Sequence, residues 1–206
     1  MGRWYLVRHA MTQWNREGRV QGHAGPPLDE PALAQASRVA ESLREVEFAA
    51  AYCSDLPRAT QTAEVILEGR NIEPRPAPEL REFAYGAWEG LTHSEVQERY
   101  PDQFADSMRA SIDFAAPGGE SARDVLGRTL GLRDRLVATH AVGEELLLVG
   151  HSGSLKGMLV ALLGLDPKHF WRFRLVPGSI SIVSVHGADA TLDLWNDTSH
   201  LEGLDG

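Results

Sequence analysis

An α/β fold, a three-layer αβα sandwich with a mostly parallel central sheet, is the architecture this sequence predicts. Three observations carry that expectation. Short apolar segments of strand length alternate with longer segments whose apolar residues recur every three or four positions. The segment Leu146 to Val149 is apolar throughout, as a strand covered on both faces requires. No internal repeat, low-complexity tract or Gly/Ser-rich linker interrupts the 206 residues, so they read as one domain, 1–206.

Taken in order, Arg3 to Val7 is short, apolar and aromatic, and is predicted to be a buried strand. Asp29 caps a helix whose Leu33, Ala36, Ala40 and Leu43 follow at three- and four-residue spacing. Ala49 to Cys53 is a second strand. Ser54-Asp55-Leu56-Pro57 after it is helix-start chemistry, with a proline in the first turn, and the helix continues through Ile66. Glu73 to Glu79 carries three prolines, which confines it to extended chain or a sheet edge. Val125, Thr129, Leu132 and Leu136 share one face of a long helix beginning near Gly119. The Leu146–Val149 strand follows, then a helix over Gly153 to Leu163. Ser179 to Val185 and Ala190 to Trp195 are two late strands with a Gly-containing turn between them.

Composition narrows the function. Hydrophobic residues at 43% and charged residues at 24% are ordinary for a globular protein and exclude a disordered or fibrous one. Acids outnumber bases 29 to 20, a formal charge of −9, which argues against broad binding to nucleic acid or an anionic membrane. The lone Cys53 excludes an intramolecular disulfide and a cysteine zinc cage. MGRWYLVRHA has no long apolar signal core, and Leu6 stands where a myristoylation pattern wants Ser or Thr. The best apolar run, MLVALLGL, is far shorter than a membrane span. A soluble, cytoplasmic chain is expected, with a homodimer left open.

Ligands of open α/β sheets bind beyond the carboxyl ends of the strands. Arg8 and His9 follow the first strand, Arg58 lies just past the second, and His151 follows LLLVG. Two arginines and two histidines meeting at one edge of an acidic chain make an anion pocket. Arginine offers a planar fork of donors matched to phosphate oxygens and keeps its charge. A histidine held in one tautomer can attack phosphorus, and flanking donors would stabilise the charge spread over the equatorial oxygens. A carboxylic acid must then protonate the leaving alkoxide. Glu82 in LREFAYGAWEG is best placed, though periodicity alone does not separate it from Glu79 or Glu89.

These residues fall in an order that resembles a known family. LVRHAMTQWN is similar to the Arg-His-Gly signature of the histidine phosphatase superfamily, the phosphoglycerate-mutase-like proteins. RVQG, SDLPRATQTA, LREFAYGAWEG, PGGES and LLLVGHSG follow in sequence. The resemblance runs from about Tyr5 to the end of the helix after His151. It implies a phosphoglycerate-mutase-like fold with His9 as the phosphorylated nucleophile and Arg8, Arg58 and His151 on the phosphoryl oxygens. It further implies a phosphate contact from Asn15, a substrate-side lining from Gln21 and Gly22, and Glu82 as proton donor and acceptor. The Ser152 main-chain N–H, opening a helix, would point at the phosphate. No metal and no cofactor is expected, because arginines and histidines neutralise the charge. Ala10 and Met11 depart from the usual Gly and Glu; if the turn needed positive φ, Ala10 would be strained.

The implied activity is hydrolysis of a small phosphomonoester by a metal-independent phosphatase, with phosphoglycerate mutase of the same family as the alternative. Leu91 to Pro117 carries only Arg99 and Arg109 as bases, too few to hold a second anionic group, which favours hydrolysis. A lid or insertion at about 83–118 is expected to cover the pocket and set the substrate, which the sequence leaves open. A serine hydrolase built on Ser152 is the remote rival: GHSGS has Ser154 where the elbow motif wants Gly. Its acid and base would be Asp166 or Asp193 with His186 or His200, and it leaves Arg8, His9 and Arg58 unexplained. The P-loop pattern fails at Leu155. Trp14, Trp88 and Trp171 are expected to pack, and the remaining histidines to be surface or structural.

Overall fold

The structure, a computed structural model, describes residues 2–204. Its strands are β1 (Gly2–Arg8), β2 (Ala50–Cys53), β3 (Pro74–Pro76), β4 (Leu146–Gly150), β5 (Ile180–His186) and β6 (Asp189–Asp197). They form one six-stranded sheet in the order β3-β2-β4-β1-β5-β6. The first four in that row run parallel; β5 is antiparallel to β1, and β6 to β5. The α-helices are α1 (Gln13–Arg16), α2 (Glu30–Ser42), α3 (Pro57–Leu67), α4 (His93–Arg99), α5 (Pro101–Ser107), α6 (Ala122–Thr139) and α7 (Ser152–Leu162).

Side chains alternate across a strand, so each central strand feeds two cores. Trp4, Leu6, Leu146 and Leu148 face Leu132 and Leu136 of α6 and Leu155 and Met158 of α7. Tyr5, Val7, Leu147 and Val149 point the other way, onto Val39 of α2 and Ala59, Ala63 and Ile66 of α3. Three layers result, as expected. The prolines of β3 place it at an edge, and Cys53 is a small buried strand residue.

Three details differ from expectation. The buried stripe of α2 and its cap is Ala32, Ala36, Val39 and Leu43, whereas Leu33 is 40% exposed and Ala40 only half-buried. Ala32 and Ala36 pack on Ala10 and Leu28, and that close approach of small residues sets the helix phase. The α6 helix begins after Gly119, because Ser121 and Asp124 close a capping box before Ala122. Ala10 is not in the left-handed region; among the described residues only Ala110 and Asn196 are non-glycines with positive φ. Its methyl packs in the core, and its N–H donates to Thr62 Oγ1 at 3.1 Å.

Residues 83–118 hold a short turn (Gly86–Trp88), α4 and α5 around a small core of Trp88, Val96 and Ala116. Val20 ties this segment to the loop after α1 by exchanging main-chain hydrogen bonds with Gly90 and Leu91. Among the described residues, no helix is long and apolar enough to cross a membrane.

The phase of α2 can be tested by urea denaturation. Leu43→Ala, which empties a buried site, should cost about 2–5 kcal/mol. Leu33→Ala should stay within roughly 0.5 kcal/mol of wild type.

Candidate active site

The ladder between β1 and β4 pairs Val7 with Val149 and Arg8 with Gly150. The next residue on each strand is a histidine, so His9 and His151 emerge side by side, with ring centroids 4.9 Å apart. On the other flank of β4, Cys53 pairs with Val149, and Ser54 therefore follows at the same level. Arg58 is one residue into α3, where Pro57 starts the helix.

Each imidazole is oriented by one hydrogen bond. His9 Nδ1 lies 2.8 Å from the Ala10 carbonyl, which can only accept. The proton therefore sits on Nδ1 and the Nε2 lone pair is free. His151 Nε2 is 2.9 Å from Ser54 Oγ, and its buried Nδ1 has no partner. Burial, then the charges of Arg58 and Arg8, hold His9 well below the ordinary histidine value; burial and the same arginines do so for His151. Both rings are neutral at pH 7.

The arginines are held by carbonyls rather than carboxylates. Arg8 Nη1 donates to Leu175 O, and Arg58 donates to the Gly22 and Ala24 carbonyls. Arg58 is 1% exposed, and burial brings its guanidinium down to about 10, still charged at neutral pH. The Nε atoms of both arginines are buried and unpartnered. Such orphaned donors are rare unless something is meant to meet them.

Glu82 enters from the end of the extended segment. Its Oε1 accepts from the N–H groups of Phe83 (3.0 Å) and Gly153 (2.9 Å). Gly153 is the second residue of α7, and a Cβ there would overlap Glu82 Oε1 and the Phe83 ring. Only glycine lets the carboxylate reach this helix N-terminus. The Glu82 carbonyl is held in turn by Arg128 Nη2 and His23 Nε2, each at 3.0 Å.

A cavity of about 250 Å³ opens over this cluster. Arg8, His9, Asn15, Gln21, Gly22, Arg58, Glu82 and Ser152 all line it; His151 is fully buried next to His9 and is not part of the lining. Asn15 is aimed by Thr12, whose N–H and hydroxyl both lie 3.1 Å from its Oδ1, leaving the amide N–H₂ for a ligand. A larger groove of about 720 Å³ beyond the ends of α2 and α3 gathers no comparable set of groups.

The model of the Histidine phosphatase superfamily (branch 1) matches residues 4–198. The chain belongs to that superfamily. This histidine phosphatase superfamily member is 32% identical over 196 residues to phosphoserine phosphatase 1 of Hydrogenobacter thermophilus, covering 95% of this chain and 92% of the relative. It is also 32% identical over 193 residues to a 2,3-bisphosphoglycerate-dependent phosphoglycerate mutase of Bartonella henselae, covering 91% and 93%. The solved structure of Bacillus stearothermophilus YhfR superposes with a TM-score of 0.89 at 35% identity, covering 98% of this chain and 100% of that one. Phosphatases and mutases thus both stand among its relatives.

Of the three candidate acids, only Glu82 reaches the cavity. Glu79 pairs with Arg135, which lowers its pKa, and Glu89 accepts three main-chain N–H groups. The serine-hydrolase set is not assembled: Asp166 caps the turn at Lys168, Asp193 accepts from Ser184, and His200 bonds the Gly178 carbonyl. Sequence reasoning missed Ser54, which read only as helix-start chemistry, and the wall made by Arg19, Val20, Tyr85 and His93. Trp88 packs as expected and also lines the cavity. Trp171 also packs, stacked on Phe83 and edge-on to Phe170, and is left 39% exposed.

Two histidines buried neutral have a consequence for stability. Their folded pKa values lie below the ordinary 6.5, so the unfolded chain takes up protons first on acidification. Stability present above about pH 6.5 is therefore lost as pH falls toward the folded values, by up to roughly 1.4 kcal/mol per pH unit for each ring. Urea denaturation at about pH 7.5 and about pH 5.5 should show that loss, and His9→Asn should reduce it.

Proposed function

We propose that this protein hydrolyses a small phosphorylated metabolite, a phosphomonoester, through a phosphohistidine on His9. The observation that carries the reading is the set of orphaned buried nitrogens, Arg8 Nε, Arg58 Nε and His151 Nδ1, gathered with a neutral His9. A phosphoryl group supplies the acceptors these donors lack, and the His9 tautomer supplies the lone pair that attacks it.

In the first step His9 Nε2 bonds to phosphorus as the P–O bond to the leaving group breaks. Protonated Glu82 gives its proton to the departing alkoxide, which leaves as an alcohol. In the second step Glu82, now a carboxylate, takes a proton from water as the water oxygen attacks phosphorus. The P–N bond breaks, releasing inorganic phosphate and restoring His9 and protonated Glu82. Arg8, Arg58 and His151 stabilise the equatorial oxygens in both steps, with Asn15 and the Ser152 N–H adding donors. Gln21 and Gly22 line the substrate side. The two arginine cations, with these neutral donors, do what a Mg²⁺ would otherwise do, so turnover is expected to proceed in excess chelator.

His9→Ala should form no phosphoenzyme even with an activated aryl phosphate. Glu82→Gln should slow phosphoryl transfer from an alkyl phosphate far more than from p-nitrophenyl phosphate, by roughly 10²–10⁴-fold. The alkoxide needs the proton, and the phenolate hardly does. Single-turnover trapping isolates that step. Equal slowing on both substrates would remove Glu82 from the acid role.

Hydrolysis is favoured over mutase chemistry by the charges of the outer wall. Arg99 and Arg109 do not line the cavity, and Arg109 pairs with Asp106 at the surface. Arg19, which does line it, is already paired with Glu17 and Glu95. Little is left to hold a second anionic group. Residues 83–118, which supply Tyr85, Trp88 and His93, act in this reading as the cover that selects the leaving group. With 3-phosphoglycerate and a bisphosphoglycerate primer, turnover to the 2-isomer should be negligible beside hydrolysis of a good monoester. Efficient interconversion would make the protein a mutase.

A further inference from the structure

Glu89 lies outside the cavity and plays no part in the steps above, yet it is bound to the loop that holds Arg58. Arg58 Nη2 donates to the Gly22 carbonyl at 2.7 Å and Nη1 to the Ala24 carbonyl at 2.8 Å. From the other side of the same loop, the His23 N–H donates to Glu89 Oε1 at 3.0 Å and the Ala24 N–H to Oε2 at 3.1 Å. The single peptide unit Gly22–His23 therefore has its carbonyl on a cation and its N–H on an anion. Its dipole is clamped between opposite charges, each meeting the end it favours. Glu89 Oε1 also accepts the Tyr85 N–H at 3.0 Å, which ties the turn carrying Trp88 into the same assembly.

Gly22 shows how closely Glu89 approaches the loop. It has φ +56°, and a Cβ there would overlap the Glu89 carboxylate. Glu89 also counts among the charges that oppose the effect of burial on Arg58.

We propose that Glu89 is a positioning residue for Arg58, acting through the Gly22–His23 peptide to fix the guanidinium that receives the phosphoryl group. This rests on reading the cavity as a phosphoryl-transfer site. A carboxylate is required, since all three of its partners are N–H donors and an amide in its place would set a donor against one of them.

The test is Glu89→Gln, with orthovanadate as the probe of the phosphoryl site. Vanadate inhibition should weaken roughly tenfold, the size of one charge-assisted hydrogen bond. Transfer from aryl and alkyl phosphates should fall by the same factor, since Arg58 acts on the phosphoryl group whatever leaves. In an Arg58→Ala background, Glu89→Gln should change vanadate affinity by less than about twofold, whereas a merely structural role would give additive losses. Gly22→Ala, which displaces the carboxylate from the opposite side, should weaken vanadate likewise and serves if Glu89→Gln does not fold. Unchanged vanadate affinity in a folded variant, additive losses, or a loss confined to alkyl phosphates would overturn the inference. Absence of phospho-His9 in the wild-type protein would instead overturn the functional reading beneath it.

Discussion

In the ladder between β1 and β4, Val7 lies beside Val149 and Arg8 beside Gly150, so both strands run out at one level. Everything at the cavity floor depends on that register. A slip of β1 by one residue would send Leu6 into the core Val7 fills and Val7 into the core Leu6 fills, so the different packing on the two faces opposes it. The His9 N–H donates to Gly150 O at 3.0 Å and the Ser54 N–H to Val149 O at 2.9 Å, carrying the ladder one step past the strands. Two imidazoles and a serine hydroxyl are thereby placed by main-chain geometry before any side-chain contact is made.

The electrostatics follow from the same crowding. Two guanidinium groups held by carbonyls at their Nη atoms keep their charge, and with burial they keep both histidines neutral. Positive charge is thus carried by groups that do not lose protons easily, and the His9 ring stays unprotonated. Lys156 on α7 is half-buried and lowered by burial, with the charge of Glu82 opposing that effect. Glu82 is the carboxyl group this cluster admits, and the α7 N-terminus receives it.

Much of this was legible in the sequence where apolar runs end in chemistry. Arg8-His9 and His151 follow continuous apolar strands, so their place at a strand terminus could be read directly. Glu82 could not be separated from Glu79 and Glu89, because a proline-rich extended segment has no period to orient it; the contact with the Gly153 N–H, which places Glu82 at the cavity, is made by a residue far along the chain. The phase of α2 was misread because alanine weighs little in an apolar pattern, yet Ala32 and Ala36 make the tight contact. Tyr85, His93 and Arg19 come from turns and short helices, where spacing says nothing about which side chain faces inward.

The borders of the sheet carry a different consequence. At one border β3 presents Pro74 and Pro76, with Pro78 following, and a proline has no N–H to offer a neighbouring strand. At the other, β6 carries Asp189, Asp193 and Asp197 at every fourth position, so a second copy laid alongside would bring like charges together. Neither border invites the sheet to continue into another molecule, which guards a crowded chain against strand-by-strand aggregation. Any association between copies is left to the helical layers and the loops.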